Sequence, residues 1–179
     1  MNWYKYKEAV NRDFSYGWTA VEMDKNLTNK IVNWGRRNIS DEEIYDKKGF
    51  GREVESHITL KYGLVTENLK MVKELLKDEK IIKAKLGKIG YFSKNPLFDV
   101  CIIRIDSPDL HRINKIISDN LVTEDSFPVY QPHCTIAYMK KGEAHKYAGD
   151  TFFKDTKLVF NKILFVNGDD ERVEISLKK

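Results

Sequence analysis

Two short stretches of the chain carry residue types that can move protons across a phosphodiester. His57-Ile58-Thr59-Leu60 and His133-Cys134-Thr135-Ile136 each place a histidine and a threonine two residues apart, with an apolar residue after each. In an extended strand successive side chains point to opposite faces, so each histidine shares a face with its threonine. An imidazole titrates near neutral pH, so one of a pair can accept a proton while the other, kept charged by its surroundings, donates one. A threonine hydroxyl can donate a hydrogen bond to a non-bridging phosphate oxygen as it gains charge in the transition state. One histidine would then deprotonate a 2′-hydroxyl attacking phosphorus in line, and the other would protonate the departing 5′-oxygen. On a 2′,3′-cyclic phosphate, water replaces the nucleophile.

The elements around these stretches repeat. Residues 16–23 have the aromatic and β-branched content of a strand, and Asp24 can cap a helix whose apolar positions are Leu27, Ile31 and Trp34, with Gly35 as its stop. Residues 36–54 read as a long polar loop with a short helix near Asp41 to Tyr45, of the length often found in functional lids. After the first His-x-Thr strand, Leu69, Val72, Leu75 and Leu76 mark a helix. A hairpin of residues 81–92 and 97–105 follows, turning at Ser93-Lys94-Asn95-Pro96. Ser107-Pro108-Asp109 opens a helix striped by Leu110, Ile113, Ile117 and Leu121, and a loop through Pro128 leads to the second His-x-Thr strand. A short helical segment and strands at residues 157–166 and 172–177 complete the chain.

Strand, helix, loop, His-x-Thr strand, helix and strand therefore occur twice, which predicts an internal duplication. Asp24 precedes His57 by 33 positions and Asp106 precedes His133 by 27, the difference falling in the longer first loop. The expected architecture is a single α/β domain of the α+β kind over residues 1–179, with repeat units at roughly 15–92 and 97–167. Mainly antiparallel sheets would line a central groove, with helices outside. Packing about a pseudo-two-fold axis would make the two His-x-Thr strands neighbours and turn their polar faces into one groove.

Composition limits the alternatives. The chain has 179 residues, 41% of them hydrophobic and 32% charged, and no apolar run nears the roughly 20 residues of a membrane span. The start of the sequence, Met1 to Lys7, has no apolar signal core, so a cytoplasmic location is expected. Cys101 and Cys134 sit among apolar residues without CxxC spacing and read as buried thiols. His111 and His145 read as solvated, no metal-ligand spacing is present, and neither metal nor other cofactor is expected. A net charge of +4 suits an anionic partner. Tyr16, Trp18 and Tyr91 are candidates to stack on bases, with Phe92 read rather as core. Lys61 shares the expected face of His57 and could steady phosphate, whereas Arg52, in the preceding loop, is either a lid residue or simply solvated.

The paired motifs resemble the signature of the 2H phosphoesterase superfamily, and the resemblance covers nearly the whole chain. It implies two pseudo-symmetric lobes around a groove and metal-free catalysis by His57 and His133, with Thr59 and Thr135 holding phosphate. Within that superfamily, Tyr16-Gly17-Trp18, Gly51-Arg52-Glu53 and His57 to Leu64 look like the phage anti-CBASS nucleases. That likeness implies a cyclic di- or trinucleotide substrate cleaved at its 3′-5′ bonds, acting in the host cytoplasm if phage-encoded, with no duplex DNA or membrane as partner. The same four residues would also serve a 2′,3′-cyclic nucleotide phosphodiesterase or an RNA 2′,5′-ligase-like enzyme. A non-catalytic module that sequesters nucleotides or RNA is a further alternative.

Overall fold

The computed structural model describes residues 16–66, 68–124 and 129–179. The stretch Met1 to Lys7 and the loop at Pro128 lie outside them. The helix starts follow the sequence. Asp24 accepts from the Leu27 amide at 2.9 Å and opens α1, Lys25–Asn38. Ser107 accepts from the Leu110 amide at 3.1 Å and opens α3, Pro108–Asn120, with Pro108 where its missing N–H costs nothing. Asn68 caps the shorter α2, Leu69–Leu76. α1 does not stop at Gly35 but runs on to Asn38. A Cβ at Gly35 would lie 3.0 Å from Ile136 Cγ2, so the glycine lets the helix approach the sheet instead of ending it.

Among the described residues eight strands form two four-stranded antiparallel sheets, an α+β fold. They are β1 Gly17–Glu22, β2 His57–Leu64, β3 Ile82–Phe92, β4 Phe98–Asp106, β5 His133–Lys140, β6 Lys157–Phe160, β7 Lys162–Val166 and β8 Arg172–Ser176. One sheet has the order β2-β1-β7-β8 and the other β5-β4-β3-β6, so the two match strand for strand and each His-x-Thr strand lies at an edge.

The sheets do not follow the sequence halves. The third strand of each repeat joins the other repeat's sheet: β3 pairs with β4, and β7 with β1. The stretch 157–166, expected as one strand, is two, parting at Asn161 so that β6 joins β3 while β7 joins β1. Helices cross over as well, α1 packing on β5 and α3 on β2 and β3. A continuous apolar core results, running from Val21 and Ile58 through Leu86 and Ile113 to Ile136 and Phe165. Among the described residues no helix is long and apolar enough to cross a membrane.

Edge strands expose unpaired backbone groups, and here each half covers the other's edge. The segment expected as a lid runs instead along β5. Its Tyr45 amide donates to the Tyr138 carbonyl at 3.0 Å, its Gly51 carbonyl accepts from the Tyr138 amide at 2.8 Å, and its Glu53 amide donates to the Ile136 carbonyl at 2.9 Å. The rings of Tyr45 and Phe50 pack on Phe98, and Phe50 also meets Tyr138. Arg52 is neither over the groove nor solvated: its guanidinium donates to the Gly35 and Ile39 carbonyls at 2.8 and 2.7 Å, tying the strap to the end of α1. On β2, the Thr59 carbonyl accepts from the Tyr130 hydroxyl at 2.9 Å and the Leu60 carbonyl from the Asn114 amide at 2.7 Å.

Candidate active site

β2 and β5 are in contact, which brings the two His-x-Thr stretches to one place from opposite sheets. Each imidazole is anchored in the same way. His57 Nδ1 lies 3.1 Å from the Glu55 carbonyl, and His133 Nδ1 lies 2.7 Å from the Gln131 carbonyl, in both cases two residues back along the chain. A carbonyl only accepts, so Nδ1 carries the proton and Nε2 is left as the reactive nitrogen on both rings. Each ring also has an aromatic neighbour: Trp18 at 5.7 Å from His57, and Phe92 at 4.8 Å and nearly perpendicular to His133. The Thr59 and Thr135 hydroxyls are engaged by no other described residue.

A matching irregularity follows each threonine. Ala20 faces Thr59 but Thr19 faces Lys61, and Ile102 faces Thr135 but Cys101 faces Ala137, so both strands carry a bulge immediately after the motif. Bulges raise local twist and re-aim the side chains beyond them. Strict alternation through Lys61 is therefore interrupted: Lys61 comes opposite the fully buried Thr19, out of step with His57 and Thr59. Tyr62 comes opposite Trp18 instead, and its ring lies 6.3 Å from that of Tyr16, whose hydroxyl donates to the Glu124 carboxylate. Tyr91 is half-buried against the core, opposite Cys101, while Phe92 reaches the histidine.

Burial pushes the His57 imidazole down from about 6.5 to about 3, with repulsion from His133 and Arg172 acting in the same direction. Burial likewise lowers His133; the Gln131 carbonyl opposes that shift and Arg104 reinforces it. Both rings are thus neutral near pH 7 in the unliganded protein. Nothing in the sequence around Arg104 or Arg172 marks them, because only strand pairing places them here. Arg104 faces His133 across β4 and β5, and Arg172 faces Val166, itself opposite Trp18. Neither arginine forms an ion pair or side-chain hydrogen bond among the described residues.

Cys101 and Cys134 are fully buried and burial pushes both thiols up to about 12, as apolar packing requires. His111 and His145 are exposed, the former against Tyr130 and the latter hydrogen-bonded at Nδ1 to the Gly142 carbonyl. Among the described residues no three His, Cys, Asp or Glu side chains converge as a metal site.

A family model described as the 2′-5′ RNA ligase superfamily matches residues 34–167, which include both motifs. The crystal structure of E. coli LigT in apo form is similar with a TM-score of 0.60 and 12% sequence identity, covering 94% of this chain and 100% of LigT. LigT complexed with 3′-AMP gives 0.60 at 13% identity, over 93% of this chain and 96% of that one. A structure described as a phosphoesterase gives 0.57 at 12% identity, over 93% and 97%. At these identities the likeness is one of fold. No curated protein sequence matches the chain.

Proposed function

The chain belongs to the 2′-5′ RNA ligase superfamily, and on that premise we propose that it is a metal-independent phosphodiesterase that opens the 3′-5′ bonds of cyclic oligonucleotides. The observation that carries this reading is the pair of histidines, each with Nδ1 fixed on a carbonyl and Nε2 available, on two edge strands in contact.

The chemistry follows from that pair. One neutral imidazole takes the 2′-hydroxyl proton at Nε2, the 2′-oxygen bonds to phosphorus, and the phosphorus to 5′-oxygen bond breaks. The second histidine, protonated, gives its proton to the departing 5′-oxygen, leaving a 2′,3′-cyclic phosphate and a free 5′-hydroxyl. Burial holds both rings neutral without substrate, and the negative charge of a bound phosphodiester is what raises one of them into the charged form. Thr59 and Thr135 donate to the non-bridging oxygens, where losing one such donor costs about 2 to 4 kcal/mol of transition-state stabilisation. Trp18 and Phe92, beside the two histidines, offer faces for the flanking bases; Tyr16 reaches the same side through Tyr62. That LigT was solved with 3′-AMP supports a nucleotide-sized ligand in this fold. Removal of a signalling nucleotide that bacteria use against phage is the biological role that the sequence resemblance favours.

The test is purified protein in excess EDTA with 3′,3′-cyclic dinucleotides, cyclic trinucleotides and 2′,3′-cyclic mononucleotides, beside a His57→Ala, His133→Ala control. Cleavage of the cyclic oligonucleotides by wild type alone is the expected result. Turnover of only the mononucleotides would assign the protein to RNA-end processing. Tight binding without cleavage would leave a sequestering module.

A further inference from the structure

Beyond His133 the groove wall continues across two more strands. Arg104, on β4, stands directly opposite His133 on β5, and the next strand, β3, brings Gly87 and Gly90 beneath the arginine. With strands about 4.8 Å apart, β3 lies about 10 Å from the histidine's strand, one step further along an extended oligonucleotide than the scissile phosphate. The two glycines make room for the arginine. A Cβ on Gly90 would sit 2.7 Å from Arg104 Nε and 3.2 Å from its Cζ, and one on Gly87 would sit 3.1 Å from the Arg104 carbonyl oxygen. The guanidinium therefore lies across β3 in a slot that any larger residue would close.

That slot opens into a cavity of about 390 Å³, lined by Arg104, Lys88, Gly90, Tyr91 and Asp106, and bordered by Ala148 and Gly149 beyond the end of β6. Here β3 pairs with the 149–150 turn, Gly149 donating to the Ile89 carbonyl and the Ile89 amide donating to that of Asp150, both at 2.9 Å. Lys88 and Arg104 both lack an ion-pair partner among the described residues, and Asp106 is the carboxylate in the lining. An unpaired guanidinium with its slot pre-formed, next to a reactive imidazole and beside a cavity of nucleoside size, is arranged for an anion that arrives with a ring attached.

We propose that Arg104 and the cavity beside it form a second phosphate and nucleoside subsite, so that the substrate carries at least two phosphodiesters. The inference rests on the phosphodiesterase reading and deepens it. Arg104 takes the phosphate next to the scissile one, Lys88 adds to its field, and the nucleoside between the two phosphates is directed away from His133 into the cavity over Gly90. A mononucleotide 2′,3′-cyclic phosphate fills the histidine site and leaves this subsite empty.

The test is equilibrium binding to the His57→Ala, His133→Ala protein, which removes turnover from the measurement, with a 3′,3′-cyclic dinucleotide and 2′,3′-cyclic AMP as probes. Arg104→Gln is expected to weaken the dinucleotide at least tenfold and the mononucleotide less than threefold, and to flatten the salt dependence of dinucleotide binding, since one phosphate contact is gone. Arg104→Lys recovers part of the affinity and the salt dependence. Gly90→Ala displaces the guanidinium but keeps its charge, so it lowers affinity while salt dependence persists. Equal weakening of both probes would put Arg104 at the scissile phosphate and overturn the subsite, as would no change in either. Failure of the underlying reading is distinguishable: wild-type protein would then cleave neither probe in EDTA, whatever Arg104 does to binding.

Discussion

Gly63→Ala should cost about 3 kcal/mol of stability, and the reason lies in how β2 meets the second half of the chain. Gly63 has φ of 78°, where a side chain costs roughly 1–2 kcal/mol. Its Cβ would also lie 2.0 Å from the Glu124 carbonyl oxygen, a backbone atom that cannot move without its segment. That segment is held by the Glu124 amide donating to the Gly63 carbonyl at 2.7 Å and the Val65 amide donating to the Val122 carbonyl at 3.0 Å. Losing both adds about 1 kcal/mol each. Urea unfolding followed by circular dichroism reads the loss as a lower midpoint at constant slope; with a slope of about 2 kcal/mol/M the midpoint falls by about 1.5 M. Gly142→Ala is the control, because Gly142 has a similar φ of 86° but nothing within 4 Å of its would-be Cβ. It should lose only the conformational part, roughly 1–2 kcal/mol. Equal losses at the two glycines would refute the argument that the 122–124 segment is clamped onto the His57 strand.

Stability should also fall on acidification through the histidines. Both native pKa values lie below the unfolded value near 6.5, so the contribution is complete above that pH and drains away as pH falls, for His57 toward about 3. Between pH 6.5 and 4.5 the loss through His57 is at most about 1.4 kcal/mol per pH unit, less where solvent reaches the ring. His57→Ala should therefore show a shallower decline than wild type in urea titrations across that window; an identical slope would count against a buried, neutral His57. Arg52→Ala should lose about 2 to 4 kcal/mol through its two charged bonds to the Gly35 and Ile39 carbonyls, whereas Asp41→Ala, whose ion pair with Arg52 is 97% exposed on the aspartate side, should stay within about 0.5 kcal/mol. A large Asp41 effect in thermal melts would reverse that assignment. Cys101 and Cys134 should resist a thiol reagent at pH 8 until urea unfolds the chain, and fast native labelling of either would contradict their burial.

What the sequence revealed was mostly local. Asp24 and Ser107 advertise their helices because a cap needs only a side chain and the amide three residues on. The His-x-Thr stretches show themselves because period two is a property of the strand alone, and the repeated order of elements anticipated two matching sheets. What stayed hidden depends on distant pairing. Arg104 becomes a neighbour of His133 only through the β4–β5 register, and Arg172 reaches the His57 side only through β7 and β8. The bulge after Thr59 that moves Lys61 out of step arises between two strands, so no alternation count within one could disclose it. Gly35 looked like a helix stop because glycine usually is one, yet its bareness serves a contact with Ile136, a hundred residues away. Arg52 reads as a lid residue or a solvated one because it stands in a polar loop before His57, but that loop lies along β5.

The exchange of third strands sets a timetable for synthesis. Trp18 pairs with Tyr62 on one side and Val166 on the other, so the sheet bearing His57 has a vacant place at its centre until almost the whole chain has left the ribosome. The sheet bearing His133 draws its four strands from residues 82–160 and can close earlier. A nascent chain therefore holds one finished half and one waiting half. A ribosome stalled before β7 would release a protein with both histidines present and no partner for β1's second edge, prone to borrow that strand from a neighbouring copy.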